Sequence, residues 1–184
     1  MRDEHVEIDN ATLTFEFRAK SGKIQTLRLR DPRLARIVGR VRDLPGQELF
    51  QYVDEAGTRH TVGSADVNDY LRAAMGEAFT AKDFRTWAAT VLAAGDLCGE
   101  DPPETGTEAK RRLKRTIDAV AARLGNTPAV CRKSYIHPEV LAAFAEGRLS
   151  EPPAEPWPGL GRDEAAVLVF LRHLSDPAAS FYRN

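Results

Sequence analysis

Cysteine is scarce: Cys98 and Cys131 are the two in 184 residues, and they do not stand at CxxC spacing. That excludes a disulfide framework and a thiolate zinc site, and it predicts reduced thiols in a cytosolic protein. The four histidines, His5, His60, His137 and His173, are scattered rather than set at ligand spacing, so no metal is expected. No run of about 18 apolar residues occurs, which excludes a membrane-spanning helix. The opening MRDEHVEIDN is polar and acidic, so a signal peptide is not expected. Internal repeats and low-complexity stretches are lacking too.

What is present is an ordinary globular composition, 42% hydrophobic and 29% charged, in a chain long enough for one domain with a real core and a short appendage. The net charge of −1 hides a segregation. From Arg18 to Arg42 nine basic residues face one acid, Asp31, and from Lys110 to Lys133 eight face one, Asp118. The acids gather at the start and after Glu151. Such segregation can build a basic face on a neutral protein. Two solvated helix faces would have the same composition, and charge alone leaves both open.

The first thirty residues alternate as strands do. TLTFEFR puts Leu13, Phe15 and Phe17 on one face, and IQTLRLR does the same with Leu27 and Leu29. AKSGK between them suits a tight hairpin turn with Lys20 at its tip. Asp31-Pro32 then starts a helix whose apolar stripe is Leu34, Ile37, Val38 and Val41. LFQYVDEAGTRHTV predicts a second hairpin. Ser64 is placed to cap the next helix, and Thr80 and Asp83 form a capping box for the one carrying Arg85 and Trp87. Residues 110–124 form an amphipathic helix closed by Gly125, and Thr127-Pro128 caps a short turn leading to Tyr135. A helix follows His137-Pro138. The Pro-rich EPPAEPWP leads to a final, peripheral helix. The fold class expected is α+β: a mainly helical catalytic domain with a small N-terminal antiparallel sheet. The organisation expected is residues 1–150 as that domain and 151–184 as connector and C-terminal helix. Phe50, Tyr70, Phe84, Trp87 and Leu92 are expected in the core, with Cys131 a packed small apolar residue.

The stretch GNTPAVCRKSYIHP sets Tyr135 just after Arg132 and Lys133. By itself this fits a packing aromatic at a helix end as well as a phenol aimed at a phosphate. A phenol has a pKa near 10 and needs positive neighbours or a base before it can attack. Fixed cations must also meet the charge that develops on a transferring phosphoryl group, and Arg suits that role because its planar fork holds two oxygens at once. Spacing cannot find such a set.

The segments FEFRAKSGK, DPRLARIV, LPGQELFQY, DVNDYL, FTAKDFRTWAATVLAA and LGNTPAVCRKSYIHP, in order across Phe15 to Leu149, resemble the catalytic domain of type IB DNA topoisomerases of the bacterial, poxvirus-like branch. The resemblance implies that Tyr135 forms a 3′-phosphotyrosyl link, that Arg85 clamps the scissile phosphate and that Lys20 protonates the leaving 5′ oxygen. Asn126 stands where relatives carry a histidine that donates to a non-bridging oxygen. Arg18, Lys23, Arg132 and Lys133 are implied DNA contacts. Ala19 departs from an expected glycine beside Lys20, and no residue here matches a further catalytic arginine that the family carries upstream. The chain is thus expected to be a partial catalytic domain with impaired activity alone. Further implications are double-stranded DNA as partner, no cofactor, a monomer, and a cytoplasmic location at the bacterial nucleoid. Tyrosine recombinases share this chemistry but usually carry a histidine two residues before the arginine, where this chain has Asp83. A non-catalytic DNA-binding fragment is the other alternative.

Overall fold

The structure, a computed structural model, describes residues 1–18, 22, 24–98, 101–149 and 157–175. It divides into two compact units, Met1–Ala81 and Lys82–Asn184. As the residue pattern predicts, the protein is α+β and mainly helical, with small antiparallel sheets. Among the described residues no helix is long and apolar enough to cross a membrane.

The first unit opens with a 3-10 turn, Asp3–His5, and three strands, β1 Val6–Asp9, β2 Thr12–Arg18 and β3 Ile24–Arg30. They pair antiparallel in the order β1-β2-β3, with Val6 opposite Phe15, Leu13 opposite Leu29 and Arg18 opposite Ile24. Helix α1 (Pro32–Arg42) starts where Asp31 accepts hydrogen bonds from the Arg33 and Leu34 backbone N–H groups at 2.8 and 2.9 Å. Val6, Leu13, Phe15, Ala35 and Leu49 form this unit's core. The expected stripes are only half right. Leu27 and Leu29 share the sheet face of Leu13 and Phe15 but are 58% and 40% exposed, and Leu34 and Ile37 are exposed as well. Ala35 and Val38 turn α1 toward the other two strands, leaving β3 uncovered by it.

β4 (Gln51–Val53) and β5 (Arg59–Thr61) make the second hairpin, closed by Asp54, which accepts from the Thr58 N–H at 2.8 Å and pairs with His60 at 2.8 Å. α2 (Ser64–Met75) begins one residue earlier than expected. Gly63 is its N-cap, with its N–H donating to the Asp66 carboxylate at 2.7 Å, and Ser64 is the first helical residue. Phe50 and Tyr70 are exposed rather than core. A three-residue strand and a helix with no buried residue bury little, so their aromatics have nothing to pack under.

Four helices and a returning fifth build the second unit: α3 (Ala81–Cys98), α4 (Gly106–Leu124), α5 (Pro128–Ser134), α6 (Pro138–Ala145) and α7 (Arg162–Ser175). Ala89, Ala93 and Leu97 of α3 meet Leu113, Ile117 and Val120 of α4, with Cys131, Ile136, Val140 and Phe144 closing the core. A fully buried side chain such as Leu97 or Val140 contributes about 1.5–3 kcal/mol. Trp87 and Leu92 pack against this core as expected, whereas Phe84 is half exposed because the first turns of α3 precede its buried stretch. Cys131 is wholly buried. α7 is not peripheral. Ala165 and Val167 are buried, and Val167, Phe170 and Leu171, at helical spacing, join the core.

Candidate active site

Tyr135 sits at the joint between α5 and α6. The Thr127 hydroxyl accepts from the Val130 N–H at 3.3 Å and Pro128 takes the first helical position, so α5 can start only there. At Tyr135 the backbone leaves the helix (φ −125°, ψ −38°), and both Tyr135 and Ile136 donate their N–H groups to the Cys131 carbonyl at 3.0 Å. Pro138 then opens α6. Ile136 is buried, and Tyr135 is partly buried against the same core. Among the described residues its hydroxyl has no hydrogen-bond partner.

The Arg85 guanidinium, from the exposed start of α3, lies over the Tyr135 ring with its carbon 5.6 Å from the ring centroid. A cation so placed gains about 0.5–1 kcal/mol at an exposed site. The same guanidinium donates through Nη2 to the Leu124 carbonyl. Asn126 donates to that carbonyl too, through Nδ2 at 3.2 Å. The acceptor is free because a helix end leaves its last carbonyls without intrahelical partners. Gly125 (φ 65°) closes α4: its N–H donates to Ala122 O at 3.2 Å, and the Asn126 N–H donates to Ala121 O at 2.9 Å. That turn consumes two earlier carbonyls, leaves Leu124 O to the side chains, and aims Asn126 back toward Arg85.

Thr90, buried on α3, supports the joint from below. Its hydroxyl accepts from the His137 N–H at 3.1 Å and lies 2.8 Å from Thr86 O and 3.3 Å from Tyr135 O. One hydroxyl proton cannot serve both carbonyls at once. The shorter bond, to its own helix, is the stronger, and the Tyr135 carbonyl takes the longer contact. Beneath them, burial pushes the Cys131 thiol pKa up, partly offset by the Arg85 charge. That leaves Cys131 a packing residue, not a nucleophile.

Tyr135, Arg85 and Asn126, implied by the resemblance and distant in sequence, thus meet within the second unit. Arg132 and Lys133 are exposed in the last turn of α5. Arg18 ends β2, exposed, in the first unit. Lys20 and Lys23 lie outside the described residues. Among the described residues no group of three or more His, Cys, Asp or Glu could hold a metal ion. Two members of the site were not legible in the sequence. Thr90 reads as an ordinary β-branched helix residue, and the Leu124 carbonyl is backbone, without any side-chain signature.

The family model of the catalytic core of eukaryotic DNA topoisomerase I matches residues 1–150. The chain belongs to the type IB DNA topoisomerases. The DNA topoisomerase 1B of Acanthamoeba polyphaga mimivirus is 32% identical over 143 residues, covering 74% of this chain and 43% of the relative. The chain therefore spans less than half the length of that curated topoisomerase. α7 lies beyond the span that the topoisomerase family model matches.

Proposed function

We propose that this chain cuts and reseals one strand of duplex DNA through a covalent link to Tyr135, relaxing supercoils. The phenol oxygen attacks the scissile phosphorus, a 3′-phosphotyrosyl bond forms, and the bond to the 5′ oxygen breaks. The phenol loses a proton and the leaving 5′ oxygen gains one, delivered by Lys20. Resealing runs the same steps backward. One phosphodiester is exchanged for another, so the bond energy is kept and no ATP is consumed.

The observation that carries this reading is the arrangement around Tyr135: Arg85 over the ring, and Arg85 and Asn126 ending on one carbonyl oxygen. The shared carbonyl holds both side chains at one place, and each carries further N–H groups that can meet phosphate oxygens beside it. Donors fixed in advance of the reaction stabilise charge that appears only in the transition state, and removing one such donor slows a reaction about 10²–10³-fold. A neutral amide at Asn126 can give the bond that a histidine gives in relatives. Arg18, Lys23, Arg132 and Lys133 contact DNA phosphates, which position the duplex without reading its sequence.

The test is a duplex nicked beside the cleavage site, so that the cut fragment diffuses away and the covalent adduct accumulates. Adduct that forms with the chain and is lost in Tyr135→Phe supports the reading. No residue of this sequence matches the family's further catalytic arginine, so the adduct is expected to form slowly. DNA binding with no adduct at any time, even when a segment bearing that arginine is supplied, would instead identify a binding module.

A further inference from the structure

The start of α3 carries Arg85 out of the core. Residues 81–85 are all exposed, and the helix is not buried until Ala89. Arg85 is tied to Leu124 and to the Tyr135 ring, both of which are parts of the candidate site itself. A support from outside the site comes two residues on. The Trp87 indole N–H donates to Glu164 Oε1 at 3.2 Å, a bond spanning 77 residues of sequence. The other oxygen of the same carboxylate accepts from the Gly161 N–H at 2.8 Å, capping the N-terminus of α7. Both bonds hold the Glu164 carboxyl below its usual range, the Gly161 bond contributing most.

α7 is itself fixed at several points. Val167, Phe170 and Leu171 pack into the core, and Arg172, near its other end, lies over the Trp157 ring at 4.5 Å. A carboxylate on a helix anchored in this way can hold the indole, and through it the first turns of α3, in one orientation. This helix lies outside the matched family span.

We propose that Glu164 is a positioning residue for the Arg85 clamp, acting through Trp87, and that α7 serves as a brace for the start of α3. The inference rests on the role given to Arg85 above. Protonating Glu164 weakens the hold. Because its carboxyl is held below the ordinary range, the brace is complete at neutral pH and above, and is lost as pH falls through that depressed value.

The experiment compares the unsubstituted chain with Glu164→Ala, Glu164→Gln and Trp87→Phe by two readouts. The first is the NMR resonance of the Arg85 Nε–H group in the free protein, which needs no chemistry. The second is single-turnover adduct formation on the nicked duplex at saturating DNA. Expected is a shifted or broadened Arg85 signal and a roughly tenfold slower adduct step in Glu164→Ala and Trp87→Phe, with unchanged DNA affinity. Glu164→Gln, which offers one acceptor oxygen to the two donors, should fall between Glu164→Ala and the unsubstituted chain in both readouts. Trp87→Phe keeps the α7 cap, so it separates the brace from loss of helix stability and decides the matter if Glu164→Ala fails to fold. An unchanged Arg85 signal in Trp87→Phe overturns the proposal. If the unsubstituted chain forms no adduct, the functional reading fails, while the Arg85 signal still decides the brace.

Discussion

Arg85 and Asn126 donate to the same atom, the carbonyl oxygen of Leu124, although Arg85 and Leu124 are 39 residues apart in the chain. A helix end supplies this meeting point. The closing turn at Gly125 leaves one carbonyl to be shared by a cation from α3 and an amide from the turn itself. The two donors are therefore registered against each other before any phosphate arrives.

Removing one donor should slow the covalent step without changing how tightly DNA is held. Asn126→Ala is expected to lower the rate of adduct formation about 10²-fold at saturating DNA. Asn126→His, which keeps a donor, should stay within about tenfold of the parent. Rapid-quench kinetics on the nicked duplex measure both.

Thr90→Val replaces a hydroxyl by a methyl of similar size and strands the His137 N–H, which donates to it at 3.1 Å. An unsatisfied buried donor costs about 1–3 kcal/mol, so the urea midpoint should fall accordingly. Thr90→Ser should recover most of that loss. A valine that cost nothing would show that water replaces the hydroxyl.

Gly125 holds a left-handed backbone, φ 65°, which an L side chain enters at a cost of about 1–2 kcal/mol. Gly125→Ala should reduce stability by about that amount. Because the Asn126 N–H bond to Ala121 depends on the same turn, it should also slow adduct formation. Asparagine tolerates this conformation better than alanine, so Gly125→Asn is the milder variant.

Salt should weaken DNA binding steeply, with log affinity falling linearly in log salt. Arg132→Gln and Lys133→Gln should each reduce that slope by about one, with little effect on preference among sequences. A slope unchanged in both variants would place these two exposed side chains away from the DNA.

The second hairpin should respond to acid. The His60 hydrogen bond is the main reason the Asp54 carboxyl lies below its ordinary pKa, with the Thr58 N–H next. A depressed carboxyl stabilises the fold above its unfolded pKa and loses that contribution as pH falls through the folded value. Ring resonances of Tyr52, stacked on His60 at 5.0 Å, should therefore shift as pH falls below the ordinary carboxylate range. Asp54→Asn should abolish that shift.

Most strand and helix limits were legible because their causes are local, although α4 starts at Gly106 rather than at the expected residue 110. The alternation in TLTFEFR, the Asp31-Pro32 start and the Gly125 stop act within a few residues, and the structure follows them. Burial was less legible because it depends on which element covers which face. Leu27 and Leu29 alternate correctly yet lie beyond the reach of α1, and Phe50, Tyr70 and Phe84 have too little packed against them to be core. The residues of the candidate site came from resemblance, since Tyr135, Arg85 and Asn126 share no spacing rule. Thr90, the Leu124 carbonyl and Glu164 left no signal, because what matters in each is a long-range hydrogen bond.

The uncovered third strand has a colloidal consequence. β3 is at the edge of its sheet, so its outer row of peptide groups could template a strand from another molecule, and two exposed leucines would favour such a union. Arg28 and Arg30, alternating with those leucines, put like charges on any in-register stack and oppose it. This repulsion is ionic and fades as the Debye length shrinks. The purified chain should keep well in dilute buffer and turn cloudy in concentrated salt, sooner still when the two arginines are replaced by threonine.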